Sequence, residues 1–180
     1  MAASTHKFRR RLVKLILYAI FGVMMFVSNM IMSWIPNVHM ASVLLVIFTV
    51  VFRAEAPIPL YVCVALYGLF YGFSLWWIPY LYIWLPLWAV VMLLPRNMTP
   101  AVAAIVYMVV CAIHGLLFGV LYAPFQALIF EYSFAETLAW IATGFWFDIL
   151  HGIGNFCLAV LVLPLSRALL SMKRKYIDSI

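Results

Sequence analysis

The chain reads as an all-α membrane protein: one domain over residues 1–180, built as a bundle of six transmembrane helices with both termini cytoplasmic. Three observations predict this. Of its 180 residues, 69% are hydrophobic and 9% charged, against roughly 45–50% and 25% in an ordinary soluble domain. Apolar runs recur between breaks marked by Pro, Gly and Arg. Counted as six spans from a cytoplasmic amino terminus, the runs put all eleven Lys and Arg on the cytoplasmic side, as the positive-inside rule requires. No linker, low-complexity tract or internal repeat divides the chain.

The first span, about residues 12–32, follows the basic lead KFRRR and carries Lys14 near its start. Its length and lack of a small-residue cleavage site read as an uncleaved helix. SWIPNVH then breaks the helix at Pro36. Span two, 40–52, is only about 20 Å long if helical and must borrow flanking residues or thin the bilayer. It ends at Arg53, before AEAPIP. Span three, 58–73, contains Gly68-x-x-x-Gly72, a helix-packing spacing. The aromatic stretch GFSLWWIPYLYIW merges into span four, 76–95, and can be an interfacial belt or the wall of a ligand site. Span five, 101–122, holds His114 and a second small-residue pair, Gly115 and Gly119. Ala123–Phe145, with Glu131 and Glu136, reads as an extended outer segment lying at the interface or over the bundle. Span six, 147–170, leads into a basic tail.

Composition and spacing exclude several functions. Cys63, Cys111 and Cys157 lie in apolar runs without CxxC spacing, which fits packing and neither a disulfide framework nor a zinc site. The net charge of +6 sits beside hydrophobic runs and not on a polar, aromatic-interleaved face, so no nucleic-acid partner is expected. HExxH and GxSxG are absent, and no serine has an activated partner, so the chain is not expected to be an enzyme.

Polar groups inside the apolar runs carry the functional reading. Asp148, His151 and Asn155, at i, i+3 and i+7, share one helical face. Ionisable residues in a span cost about 2.5 kcal/mol or more without a partner or a wet cavity. The charge-derived topology puts them in the outer half of the bundle. Ser28, Asn29, Asn37, His39, Trp76, Trp77, Tyr80, His114 and Tyr122 fall there too. The expected binding residues are Asn37, His39, Trp76, Trp77, Tyr80, His114, Asp148, His151 and Asn155, with Trp and Tyr faces stacking on a flat ligand. Asp148, His151, His114 and His39 could instead make a metal site, at a spacing common by chance. A packing role for Asp148 and His151 as a mutually bonded pair stands beside direct ligand contact. The outer side has no Lys or Arg, which disfavours an anionic ligand.

GFWFDILHGIGNF followed by LPLSRALL, the chain length, the six spans and the basic cytoplasmic ends together resemble the substrate-binding S component of a prokaryotic energy-coupling-factor (ECF) transporter. The resemblance implies an outward-facing site built from SWIPNVH, the Trp76–Trp77 loop and the outer ends of spans four to six. It implies capture of a small, planar, neutral or cationic vitamin or micronutrient at the cell membrane. Its partners would be a transmembrane coupling protein and ABC-type ATPases. ATP would be hydrolysed only by those subunits, and this chain would need no cofactor. The coupling protein docks on small residues of the first helix in that family, here Ala19 and Gly22. Nickel and cobalt members use an extreme amino-terminal histidine, whereas this chain begins MAASTH. Two other readings stay open: a stand-alone secondary carrier with Asp148 and His151 as a proton or cation relay, and a structural protein without a ligand.

Overall fold

The computed structural model describes the backbone of residues 2–177 and the side chains of residues 8–177. The Lys7 side chain and the last three residues of the basic tail lie outside that range. All regular structure among the described residues is helical. Helix α1 (Ala2–Met32) runs unbroken to the turn at Pro36. Helix α2 (Ala41–Phe52) is followed by a 3₁₀ turn at Arg53–Glu55, and α3 (Pro57–Tyr71) starts on Pro57, whose missing N–H is harmless in a first turn. A 3₁₀ segment (Leu75–Leu81) leads into α4 (Leu85–Leu93). Helices α5 (Pro100–Leu116) and α6 (Phe118–Phe130) follow, then α7 (Phe134–Leu158), a 3₁₀ turn at Ala159–Leu161 and α8 (Val162–Tyr176).

Four helical runs are long and apolar enough to cross a membrane: Phe8–Met32, Leu75–Leu93, Pro100–Phe130 and Phe134–Tyr176. A fifth arises if Ala41–Glu55 and Pro57–Tyr71, bent by 119°, act as one span. Exposed large apolar side chains such as Leu69, Leu93, Ile105 and Trp146 cover the flanks of these helices, as expected of a molecule solvated by lipid. This is a multi-pass membrane architecture.

The 12-residue α2 is the innermost helix. All of α2 except Val50 is buried, and it touches α1, α3, α4, α5, α7 and α8. A helix that is apolar all round belongs inside, and one enclosed by protein need not match the lipid thickness. Two close approaches fix its surround. A Cβ at Gly115 of α5 would fall 2.7 Å from the Gly152 amide nitrogen of α7, and one at Gly22 of α1 would fall 2.8 Å from the Pro59 carbonyl oxygen of α3. Glycine therefore lets these backbones meet.

Three expectations change here. Gly22 is buried against α3, so it packs the bundle and offers nothing to an outside partner; Ala19 remains exposed. Gly68 and Gly72 do not serve a helix crossing. Gly68 lies under the Phe73 ring, while Gly72 has φ +89° and caps α3, a conformation only glycine adopts freely. Ala123–Phe145 is not an extended segment but a helical hairpin made of the end of α6 and the start of α7. Its tip has Glu131 in the left-handed region at φ 55°. Ser133 and Glu136 then form a capping box that starts α7, with the Ser133 N–H donating to Glu136 at 2.8 Å and the Glu136 N–H to Ser133 Oγ at 3.3 Å.

The basic groups tie down one end of the bundle. Lys14 Nζ pairs with Glu55 at 2.8 Å, and the Tyr18 hydroxyl donates to the same carboxylate at 2.6 Å. Arg53 donates to the Met92 carbonyl at 2.6 Å, Trp88 Nε1 donates back to the Arg53 carbonyl, and Lys173 reaches the Val51 carbonyl.

Candidate functional site

The opposite end holds a cavity of about 440 Å³. It forms where three chain breaks converge: the Ser33–Met40 turn after α1, the Gly72 turn after α3, and the α5–α6 junction at Leu117–Phe118. Its walls are aromatic. Tyr67 and Tyr80 rings lie 5.8 Å apart, Trp76 and Tyr80 5.5 Å, and Tyr71 and Trp76 6.5 Å, all edge to face. Phe118 closes the cavity against His151, 4.8 Å between centroids.

Polar atoms on this wall are left unused. Asn29 Oδ1 accepts the Met40 N–H at 3.0 Å, pinning the start of α2 to the end of α1. Its Nδ2 has the Tyr67 phenol beside it but no completed hydrogen bond. His39 Nδ1 and His151 Nε2 are also buried without partners, and their rings meet edge to face at 4.5 Å. A buried polar atom left unpaired costs about 1–3 kcal/mol, and unsatisfied groups in a cavity normally face water or a ligand. Here three such groups line one chamber. Burial, and secondarily the nearby His114, push the His39 imidazole down to about 4. A neutral imidazole can donate from one ring nitrogen and accept at the other.

Of the expected binding residues, Asn37, His39, Trp76, Tyr80 and His151 line the cavity. Trp77, His114 and Asn155 do not line it and serve the framework. Trp77 Nε1 donates to the Val64 carbonyl at 2.7 Å, clamping the 3₁₀ segment to α3. His114 stands between Ser42 Oγ at 3.2 Å and the Ile83 carbonyl at 3.0 Å. A carbonyl only accepts, so Nε2 carries the proton and Nδ1 accepts from Ser42. Asn155 Nδ2 donates to the Cys111 carbonyl across the α5–α7 crossing. Asp148, His151 and Asn155 do share the buried face of α7, but their roles separate. Asp148 faces a neighbouring cleft and accepts from the Gly119 N–H; no hydrogen bond joins it to His151 among the described residues. The histidines do not assemble into a metal site either, since no such group of three ligands occurs among the described residues.

The cavity also recruits residues that the sequence leaves out of the binding set: Asn29, Ser33, Tyr67, Tyr71 and Phe118. Tyr67 and Tyr71, four residues apart on one face of α3, are the readable signal. Phe118 has none, because only the α5–α6 junction brings it to His151.

No family model, no curated protein and no solved structure matches this chain.

Proposed function

We propose that the chain is the substrate-binding subunit of an ATP-driven ECF-type importer in a prokaryotic cell membrane, capturing a small, flat, neutral or cationic micronutrient from outside. The aromatic-walled cavity with the unpaired Asn29, His39 and His151 atoms is the observation that carries this reading. Its volume suits a small molecule. The walls offer stacking, and the three polar atoms can fix orientation, so selectivity rests on ring faces and a few hydrogen bonds. In this reading both members of the bent α2–α3 pair cross the bilayer, giving six crossings with both termini cytoplasmic and the cavity outside. Movement of the loaded subunit is driven by a coupling protein and its ATPases, and the exposed α1 face around Ala19 is the available docking surface.

The test is mass spectrometry of small molecules co-purifying with the detergent-solubilised wild type, His39→Ala and Trp76→Ala. One compound enriched with the wild type and lost from both variants is expected. Absence of any enriched compound from all three preparations would sink the capture reading. Uptake of that compound should also stop when the coupling ATPase is deleted.

A further inference from the structure

Beside the aromatic cavity lies a second cleft, about 520 Å³, that holds a buried carboxylate without a cation. Asp148 is 6% exposed. Its two oxygens share a single donor, the Gly119 N–H, each at 3.1 Å. An ionised carboxylate offers about four acceptor positions, so most of its capacity is unused. No ion pair involves Asp148 among the described residues; Lys14, Arg53 and Lys173 are engaged by Glu55 and by backbone carbonyls elsewhere. The close approach is built in, because a Cβ at Gly119 would overlap Asp148 Oδ2. Tyr122 and Trp140, which stack at 6.0 Å and 25°, give the cleft an aromatic face, and Gln126 lines it as well. Asn37 and Phe118 line both this cleft and the histidine cavity, which makes the two contiguous.

We propose that the cleft receives the positively charged nitrogen of an organic cation, with Asp148 as its counter-charge and Tyr122 and Trp140 as its aromatic face. The captured molecule then has a flat head in the histidine cavity and a cationic arm at Asp148. The proposal rests on the capture reading above and narrows its ligand to ammonium-bearing molecules. A carboxylate removed from water is costly until a cation meets it, and an ammonium over Tyr or Trp adds cation–π attraction. An anionic arm would face an uncompensated like charge, and a neutral one would leave Asp148 unpaired.

The experiment is equilibrium dialysis of the full chain in lipid nanodiscs against benzylammonium and benzyltrimethylammonium, with benzyl alcohol as the neutral shape-mate. Both cations should bind saturably, with benzyl alcohol roughly tenfold weaker or more. Asp148→Asn keeps an oxygen for the Gly119 N–H and should erase the difference. Trp140→Leu, which removes only a ring face, should weaken benzyltrimethylammonium several-fold. Thermal melting and gel filtration check that both variants fold. Failure of either cation to bind the wild type saturably, or a charge preference that survives Asp148→Asn, overturns the proposal. Mass spectrometry of the same preparations separates it from the capture reading. An enriched neutral compound lost with His39→Ala but kept by Asp148→Asn leaves capture standing and removes the cation arm. With no compound enriched anywhere, capture falls by itself and the dialysis decides the cation cleft.

Discussion

Asn29 is held by one atom of its amide and not by the other, and that division separates structure from binding in a single side chain. The Oδ1 bond to the Met40 N–H supports the start of α2, while Nδ2 is buried beside the Tyr67 phenol without a completed hydrogen bond. Asn29→Ala should therefore lower thermal stability by about 1 kcal/mol through the lost backbone bond, whereas Asn29→Asp keeps the acceptor but buries an ionisable carboxyl, so it should retain that stability only while the carboxyl is protonated. A differential melt of the two variants, with and without the co-purifying compound, tests the split. His39 supplies the pH dependence. Its pKa, lowered from 6.5 to about 4 by burial and the nearby His114, means that the folded protein binds fewer protons there than the unfolded chain. Stability should fall as pH drops from about 6.5 towards 4 and be insensitive to this group above that window. Melting temperatures from pH 8 to 4 should show the decline, and His39→Leu should make it shallower; an unchanged slope would remove His39 as its source.

At the scale of elements, the α5–α7 crossing and the hairpin cap carry the clearest predictions. Gly115→Leu sets a side chain where a Cβ already falls 2.7 Å from the Gly152 amide nitrogen. The helices must separate, at about 1–3 kcal/mol, and His151 is carried away from Phe118. Detergent melting should drop and ligand binding weaken together. Ser133→Ala removes the capping box at the other end of α7, costing about 1 kcal/mol locally. Amide exchange should rise over Phe134–Trp140 and stay unchanged at the α5–α7 crossing. The capping box was present as Ser133-x-x-Glu136 in the sequence. Two acidic residues among aromatics point instead to an extended outer segment; Glu is a good helix former, and its residue type gives no sign of the left-handed backbone with which Glu131 ends α6.

The whole molecule has two dissimilar ends. Polar bonds of Lys14, Arg53 and Lys173 to Glu55 and to backbone carbonyls close one. The other opens into the aromatic cavity and the Asp148 cleft. The run Pro100–Phe130 covers 31 residues, interrupted at Leu117 between α5 and α6, and so reaches up to about 46 Å against a hydrocarbon core of about 30 Å. The α6–α7 tip must then stand clear of the bilayer on the cavity side. In a background without native cysteines, Ser133→Cys should react with a membrane-impermeant maleimide from outside intact cells, and Ser171→Cys only after permeabilisation. Labelling of both from the same side would overturn the two-ended topology.

Composition and hydropathy alone determined that this is an apolar, all-helical, multi-pass membrane chain, since lipid leaves the backbone no alternative to internal hydrogen bonding in helices at this composition. Part of the placement was legible too: Asn37 and His39 fall in the turn after the first span, Trp76 and Tyr80 in the aromatic stretch, and His151 interrupts an apolar run, where burial is expensive unless the group is used. What only the tertiary structure decided was which of them share a chamber. Trp77, His114 and Asn155 carry the same chemistry as their neighbours, yet their hydrogen bonds to Val64, Ile83 and Cys111 turn them into framework. Asp148 and His151, one turn apart, were separated into adjoining clefts by Gly119 and Phe118, residues from another helix. A residue's chemistry and the face it occupies are local properties that spacing can encode. Its partner is set by how helices distant in sequence cross, here by the close approach of Gly115 to Gly152, and no stretch of the chain carries that information by itself.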